Sequence, residues 1–181
     1  MNALAWNCRG LDNPYKVQAL KKFQTVFQPS LIFVSKTKKL ASELDYIRNR
    51  LQLSGCFAVD RDLNRTGFNG GLALMWADDV TVDIMYFSKN HIDVVVDQKW
   101  RITGIYGWPK AKNKWKTKKL LLDLLPLNSL PWMLLGDFNM ILDNFEKQEG
   151  NPKTLSQLAV FRLAISDCGL SDIPFLGNSF T

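Results

Sequence analysis

The sequence predicts an α/β fold, and three observations carry that expectation. Leu31-Ile32-Phe33-Val34 and Met133-Leu134-Leu135 are short apolar runs without polar alternation, as strands covered on both faces require. Stretches with apolar residues three and four apart lie between such runs and read as amphipathic helices. From about Cys56 to Tyr106 the pattern shifts to period two and to β-branched residues, which adds a strand-rich middle. At 181 residues, 46% hydrophobic and 22% charged, the chain is globular and long enough to bury a core, so one domain over residues 1–181 is expected.

Ala3-Leu4-Ala5-Trp6 forms the first strand and ends in Asn7-Cys8-Arg9-Gly10. Asn13 is placed to cap a helix that Pro14 opens, with Val17, Leu20, Phe23 and Phe27 on one face, and Pro29 stops it. Leu31 to Val34 is the second strand, followed by a helix whose apolar face is Leu40, Leu44, Ile47 and Leu51. The middle reads as an antiparallel meander of Phe57 to Val59, Leu72 to Trp76, Val80 to Tyr86, Ile92 to Val96 and Trp100 to Tyr106. Asn69-Gly70-Gly71 and Ala77-Asp78-Asp79 serve as turns there. A Lys-rich helix with Leu120, Leu121, Leu124 and Leu125 on its apolar side precedes the Met133 strand. Thr154 and Gln157 match a capping box ahead of Leu158, Phe161 and Ile165, and Gly169 closes that helix. Phe175 to Thr181 reads as a turn and the opening of a further strand, which suggests a fragment. No internal repeat, low-complexity tract or linker interrupts the chain.

Lys and Arg exceed Asp and Glu by 23 − 17 = 6, giving a pI near 9.3 and favouring a polyanionic partner such as nucleic acid. Cys8, Cys56 and Cys168 match neither a zinc pattern nor a disulfide framework, so a reducing compartment is expected. No signal peptide and no membrane-length apolar run is present, and the sequon Asn64-Arg65-Thr66 reads as chance. The expected setting is intracellular, nuclear or cytoplasmic, with no membrane partner and no small-molecule cofactor.

The strongest local signal is Gly136-Asp137-Phe138-Asn139. The apolar strand turns at a glycine and presents a carboxylate and a carboxamide at its C-terminal end, where open α/β sheets place ligands. Asn7 and Tyr106 also stand at strand ends. Each has an ordinary alternative: Asn7 as a turn cap, Tyr106 as a strand-end core residue, Asp137 and Asn139 as an Asx-type turn. Lys110, Lys112, Lys114, Lys116, Lys118 and Lys119, with Trp108 and Trp115 interleaved, either contact phosphates while a Trp stacks, or form a solvated helix face.

Taken together, a strand-ending Asn in WNCRG, a strand ending in Ser35-Lys36-Thr37-Lys38, Ile105-Tyr106-Gly107-Trp108-Pro109 and GDFN resemble the endonuclease/exonuclease/phosphatase superfamily. Asn90-His91-Ile92-Asp93, Trp100-Arg101-Ile102-Thr103-Gly104-Ile105-Tyr106-Gly107, Pro131-Trp132 and Phe161-Arg162 are similar to the apurinic-type endonuclease domain of plant non-LTR (LINE-type) retrotransposon polyproteins. The resemblance implies a four-layer α/β sandwich of the deoxyribonuclease I-like type, two mixed β-sheets flanked by helices, here lacking the last strands. It implies Mg²⁺-dependent (or Mn²⁺-dependent) hydrolysis of DNA phosphodiesters. Asp137 would be the base or water-orienting carboxylate, and Asn139 would hold the phosphate or nucleophile. Asn7 would position the metal or its ligands, and Tyr106 would place its phenol near the scissile phosphate. Arg9, Lys110, Lys112, Lys114, Trp115 and Lys116 would be the nucleic-acid contacts.

Two departures weigh against activity. The family pattern has a metal-binding Glu where this sequence has Lys36. That exchange alters the local charge by about two units, each worth roughly 4 kcal/mol at 4 Å and an effective dielectric near 20. An ammonium also has no lone pair for a metal. The family's late Asp and His would lie beyond Thr181, and His91 belongs to the middle strands. The expectation is therefore a catalytically impaired copy in which the Lys36 ammonium occupies the cation position and pairs with Asp137. The alternatives are a non-catalytic nucleic-acid-binding module and a phosphatase-type phosphoesterase.

Overall fold

Asn13 accepts a hydrogen bond from the Tyr15 amide at 2.9 Å, and Pro14 occupies the first helical position, so the first helix begins where the capping signal predicts. The computed structural model describes residues 1–61, 70–127, 129–146 and 151–173. The chain divides into two units, Met1–Tyr106 with Leu130–Asp137, and Gly107–Ser129 with Phe138–Thr181.

The first unit contains β1 (Ala3–Asn7), α1 (Pro14–Phe27), β2 (Leu31–Ser35), α2 (Ala41–Arg50), β3 (Gly55–Arg61), β4 (Gly70–Trp76), β5 (Val82–Ser88), β6 (His91–Val96), β7 (Trp100–Tyr106) and β8 (Trp132–Asp137). They form two four-stranded mixed sheets, ordered β1-β2-β4-β3 and β5-β6-β7-β8. The pairs β1–β2 and β7–β8 are parallel; the others are antiparallel.

Burial on both faces explains why β2 lacks alternation. Ile32 and Val34, with Ala73 and Met75 of β4, pack with Val17 and Leu20 of α1 and Leu44 and Ile47 of α2. On the opposite face Leu31, Phe33, Leu72 and Leu74 meet Ile92, Val94, Val96 and Ile102 of the second sheet. Gly104 lies close against this layer, since a Cβ there would stand 2.2 Å from Cδ2 of Phe33. The second sheet's other face buries Asp93, Arg101 and Thr103. Arg101 donates from Nε and Nη2 to the Asp93 carboxylate at 3.1 and 3.0 Å, Thr103 Oγ1 donates to it as well, and the Trp132 indole donates to Thr103 at 2.8 Å. The guanidinium also stacks 4.5 Å from the Trp132 ring centroid. Residues that carry the family resemblance thus form a buried polar network.

The middle strands differ from the single meander that period two predicts. β3 and β4 are a pair in the first sheet, whereas β5, β6 and β7 run consecutively in the second. The separation follows the Ala77-Asp78-Asp79 turn, which is tied back to Ser30 by the Ala77 amide at 3.0 Å and by Ser30 Oγ to Asp79 at 3.2 Å. β5 starts at Val82 rather than Val80 and carries an irregularity between Ile84 and Tyr86.

The second unit contains α3 (Trp115–Leu124) and α4 (Leu155–Asp167), which pack on each other and bury Leu121, Leu124, Leu158, Phe161 and Ala164. Thr154 and Gln157 cap α4 reciprocally, and Gly169 ends it with φ +63°. Lys110 and Lys112 precede α3, the latter in a 3₁₀ turn over Ala111–Asn113, so the Lys-rich stretch is not one continuous helix. Among the described residues no helix is long and apolar enough to cross a membrane. The sequon at Asn64, the Asn69 turn position and the tail from Phe175 lie outside the described residues.

Candidate functional site

Parallel pairing sets two strand ends side by side in each sheet of the first unit: Asn7 beside Ser35, and Tyr106 beside Asp137. Asn7 Nδ2 donates to Asp137 Oδ2 at 2.6 Å and so joins the two edges. Gly136 delivers Asp137 there, because its φ is +126° and a Cβ would stand 2.1 Å from the Ile105 carbonyl oxygen. Tyr106 is held from behind by Asn90, whose Nδ2 donates to the Tyr106 carbonyl at 2.7 Å while the Tyr106 amide donates to the Asn90 carbonyl at 2.8 Å.

Lys36 follows β2 with φ +57°, a left-handed conformation that a non-glycine residue adopts only when its surroundings impose it. The bracing is visible. The Cys8 thiol donates to the Ser35 and Lys36 carbonyls at 3.3 and 3.4 Å, the Leu11 amide to Thr37 at 2.9 Å, and the Thr37 amide to Gly71 at 3.1 Å. The Lys36 ammonium lies 5.1 Å from the centroid of the Tyr106 ring. It engages that ring face rather than the Asp137 carboxylate, which corrects the expected ion pair; Asp137 is oriented by Asn7 instead. Arg9 and Lys38 share the left-handed conformation, at φ +54° and +58°, so three cationic residues have strained backbone at one sheet edge.

Asn7 Oδ1 and Ser35 Oγ are buried without a hydrogen-bond partner. Each such atom costs about 1–3 kcal/mol, and a pair on register-matched positions marks a place built to receive something polar. Ser35, Asn90 and Cys8 were not among the residues singled out for the site from sequence. Their signal is that each lies in a phrase carrying the resemblance: Cys8 in WNCRG, Ser35 in Ser35-Lys36-Thr37-Lys38 and Asn90 in Asn90-His91-Ile92-Asp93. Burial raises the Cys8 thiol to about 11, so it acts as a structural donor and not a nucleophile. His91 is structural too: its Nδ1 pairs with Ser88 Oγ at 2.8 Å, and burial lowers its pKa.

Asn139 belongs to the second unit. Its φ is +53° and its Nδ2 donates to the Gly107 carbonyl at 2.8 Å. Of the lysines there, Lys118 pairs with Asp167 at 2.9 Å and Lys119 with Asp123 at 2.6 Å. Lys116 lies 5.7 Å from the ring centroid of Trp115, itself 55% exposed, while Lys110 and Lys112 are exposed and Lys114 is half-buried.

A hard divalent cation takes about six oxygen ligands and favours carboxylates. In the first unit the site offers the Asp137 carboxylate and the Asn7 amide oxygen, with the ammonium of Lys36 on the adjacent Tyr106. That donor set does not fit Mg²⁺ or Mn²⁺. Among the described residues no group of three or more His, Cys, Asp or Glu side chains could hold a metal ion.

No known family matches the chain by sequence, and no curated protein does. Solved structures do match in fold. The 3′-5′ exonuclease NExo of Neisseria meningitidis superposes with a TM-score of 0.63 at 16% identity, covering 93% of this chain and 71% of that one. An AP endonuclease of Archaeoglobus fulgidus gives 0.66 at 10% identity, over 91% and 68%. A humanised D. rerio TDP2 gives 0.55 at 16% identity, over 77% of this chain and 66% of its own length. These neighbours are members of the endonuclease/exonuclease/phosphatase superfamily, and the likeness shows a fold of the deoxyribonuclease I-like type.

Proposed function

We propose that residues 1–181 form one domain descended from a retrotransposon endonuclease of the plant non-LTR type, impaired as a phosphodiesterase and retaining affinity for nucleic acid. The observation that carries this is the placement of Lys36 over Tyr106 at the edge where Asn7 and Asp137 pair. Asn7 holds the Asp137 carboxylate ready to accept a proton from water, and Tyr106 can donate to a phosphate oxygen. An ammonium can neutralise such an oxygen, but it has no vacant orbital with which to acidify a water, so the nucleophile-generating step loses its support. DNA fits as the partner because the chain carries a net charge of +6 and because one structural neighbour, a 3′ phosphatase, is bound to a product DNA hairpin. Such a partner implies an intracellular setting, nuclear or cytoplasmic.

Nicking of supercoiled plasmid with Mg²⁺ or Mn²⁺ tests the impairment, alongside fluorescence-anisotropy binding of the same DNA in EDTA. The expected outcome is no nicked circle above the buffer rate and binding that survives chelation. Robust turnover that Asp137→Ala abolishes would overturn it. Lys36→Glu is expected to raise calorimetric Mn²⁺ affinity at least tenfold.

A further inference from the structure

The outward face of α1 is formed by Tyr15, Gln18, Lys22 and Val26, which recur three and four residues apart, opposite the buried Val17 and Leu20. With Lys21 and Thr25 they line a shallow groove along the helix. Tyr15 is 79% exposed and Val26 61%, and Gln18, Lys21 and Lys22 are exposed as well. Thr25 Oγ1 donates to the Lys21 carbonyl at 3.0 Å, which leaves the Tyr15 phenol, the Gln18 amide and the two ammonium groups as the donors that face outward. Among the described α-helices α1 alone carries no acidic residue; α2 holds Glu43 and Asp45, α3 Asp123 and α4 Asp167. The Leu11 amide donates to the Thr37 carbonyl at 2.9 Å and so ties the segment that leads into α1 to the edge where Lys36 stands.

We propose that this face of α1 is a contact strip for the phosphate backbone of a nucleic-acid duplex, continuing from the Asn7–Asp137 edge. The inference rests on the nucleic-acid reading above and deepens it by naming the face and the part of the partner that it meets. A phosphate oxygen accepts hydrogen bonds and carries negative charge, and this face offers donors and two positive charges. Tyr15 and Lys22 stand seven residues apart, about 10 Å along the helix axis, so they meet separate phosphates. Backbone contacts carry no sequence information, so the strip adds affinity and orientation rather than base preference. An anionic membrane would require a continuous apolar face with cations on the opposite side, whereas Lys22 stands at the centre of the outward face, between Tyr15 and Val26.

Anisotropy titrations of one labelled hairpin duplex across a salt series test the strip. Replacing both lysines, Lys21→Gln with Lys22→Gln, is expected to flatten the slope of log affinity against log salt by about 1.8 and to weaken binding about tenfold or more near about 50 mM salt. Lys22→Gln alone should give about half of that change in slope. Lys99→Gln, a loss of charge on the turn between β6 and β7, should leave the slope unchanged. Glutamine is a good helix former, so thermal melts of the α1 variants should match the wild type. Duplex binding whose slope the double variant leaves unchanged overturns the strip while the nucleic-acid reading stands. A wild-type chain that binds no duplex overturns both. Binding of phosphatidylserine vesicles by such a chain, lost in the double variant, would assign the face to a membrane instead and overturn the proposal.

Discussion

Asp93 and Arg101, each 1% exposed, form an ion pair whose desolvation is offset by Thr103 and by the Trp132 face. Pairs of this kind fix strand register more dependably than they add stability. They also surround His91, the chain's only histidine, which follows Asn90, the residue clamping Tyr106. Burial is the main cause that lowers the His91 pKa from its ordinary 6.5; Asp93 works against it, and Arg101 adds to it. The unfolded chain therefore takes up this proton at a higher pH than the folded one. His91 contributes its full stability above about pH 6.5 and loses it progressively as the pH falls below that value toward the folded pKa. Thermal melts at about pH 7.5 and about pH 5.5 should show a larger drop in Tm for the wild type than for His91→Gln, which cannot titrate. Equal drops would show that the imidazole is solvated in the folded protein.

Gly104 illustrates how the strands, once formed, constrain one another. It sits inside β7 where helix or strand propensity gives no reason for glycine, and the reason lies on β2: an added Cβ would strike the Phe33 ring. Gly104→Ala is expected to cost about 1–3 kcal/mol in urea unfolding, as overpacking does, and Phe33→Leu in the same chain should recover part of that loss. Additive effects of the two changes would refute the clash. Such facing pairs were not legible in the sequence, whereas β2 and β8 were, because runs like Leu31 to Val34 reveal burial on two faces without reference to a partner. The Asn13-Pro14 and Thr154-Gln157 caps were legible for the same reason, being local chemistry. Period two across the middle strands reports only which residues share a face, so it could not assign β3 and β4 to one sheet and β5 to β7 to the other. At the site, Asn7, Tyr106 and Asp137 announced themselves as strand ends. The perch of Lys36 on Tyr106 did not, since it depends on a left-handed backbone braced by Cys8, Leu11 and Gly71.

The chain as a whole carries a net charge of +6, but net charge does not say which cations are available to a polyanion. Lys110, Lys112, Lys114 and Lys116 cluster ahead of and within the first turn of α3, and further along that helix Lys118 pairs with Asp167 and Lys119 with Asp123. If those four meet phosphates of a duplex, binding releases about 0.9 counterion per contact, and the slope of log affinity against log salt is about −3 to −4 from that cluster. Replacing all four by Gln should flatten the slope by that amount and weaken binding at low salt far more than at high salt. Replacing Lys118 and Lys119 should change it little, because their charge is already compensated within the unit. Anisotropy titrations of one duplex across a salt series measure both variants directly. A slope unchanged by the fourfold Gln variant would relocate the electrostatic contact away from α3, with the strained cations Arg9, Lys36 and Lys38 as the next set to replace.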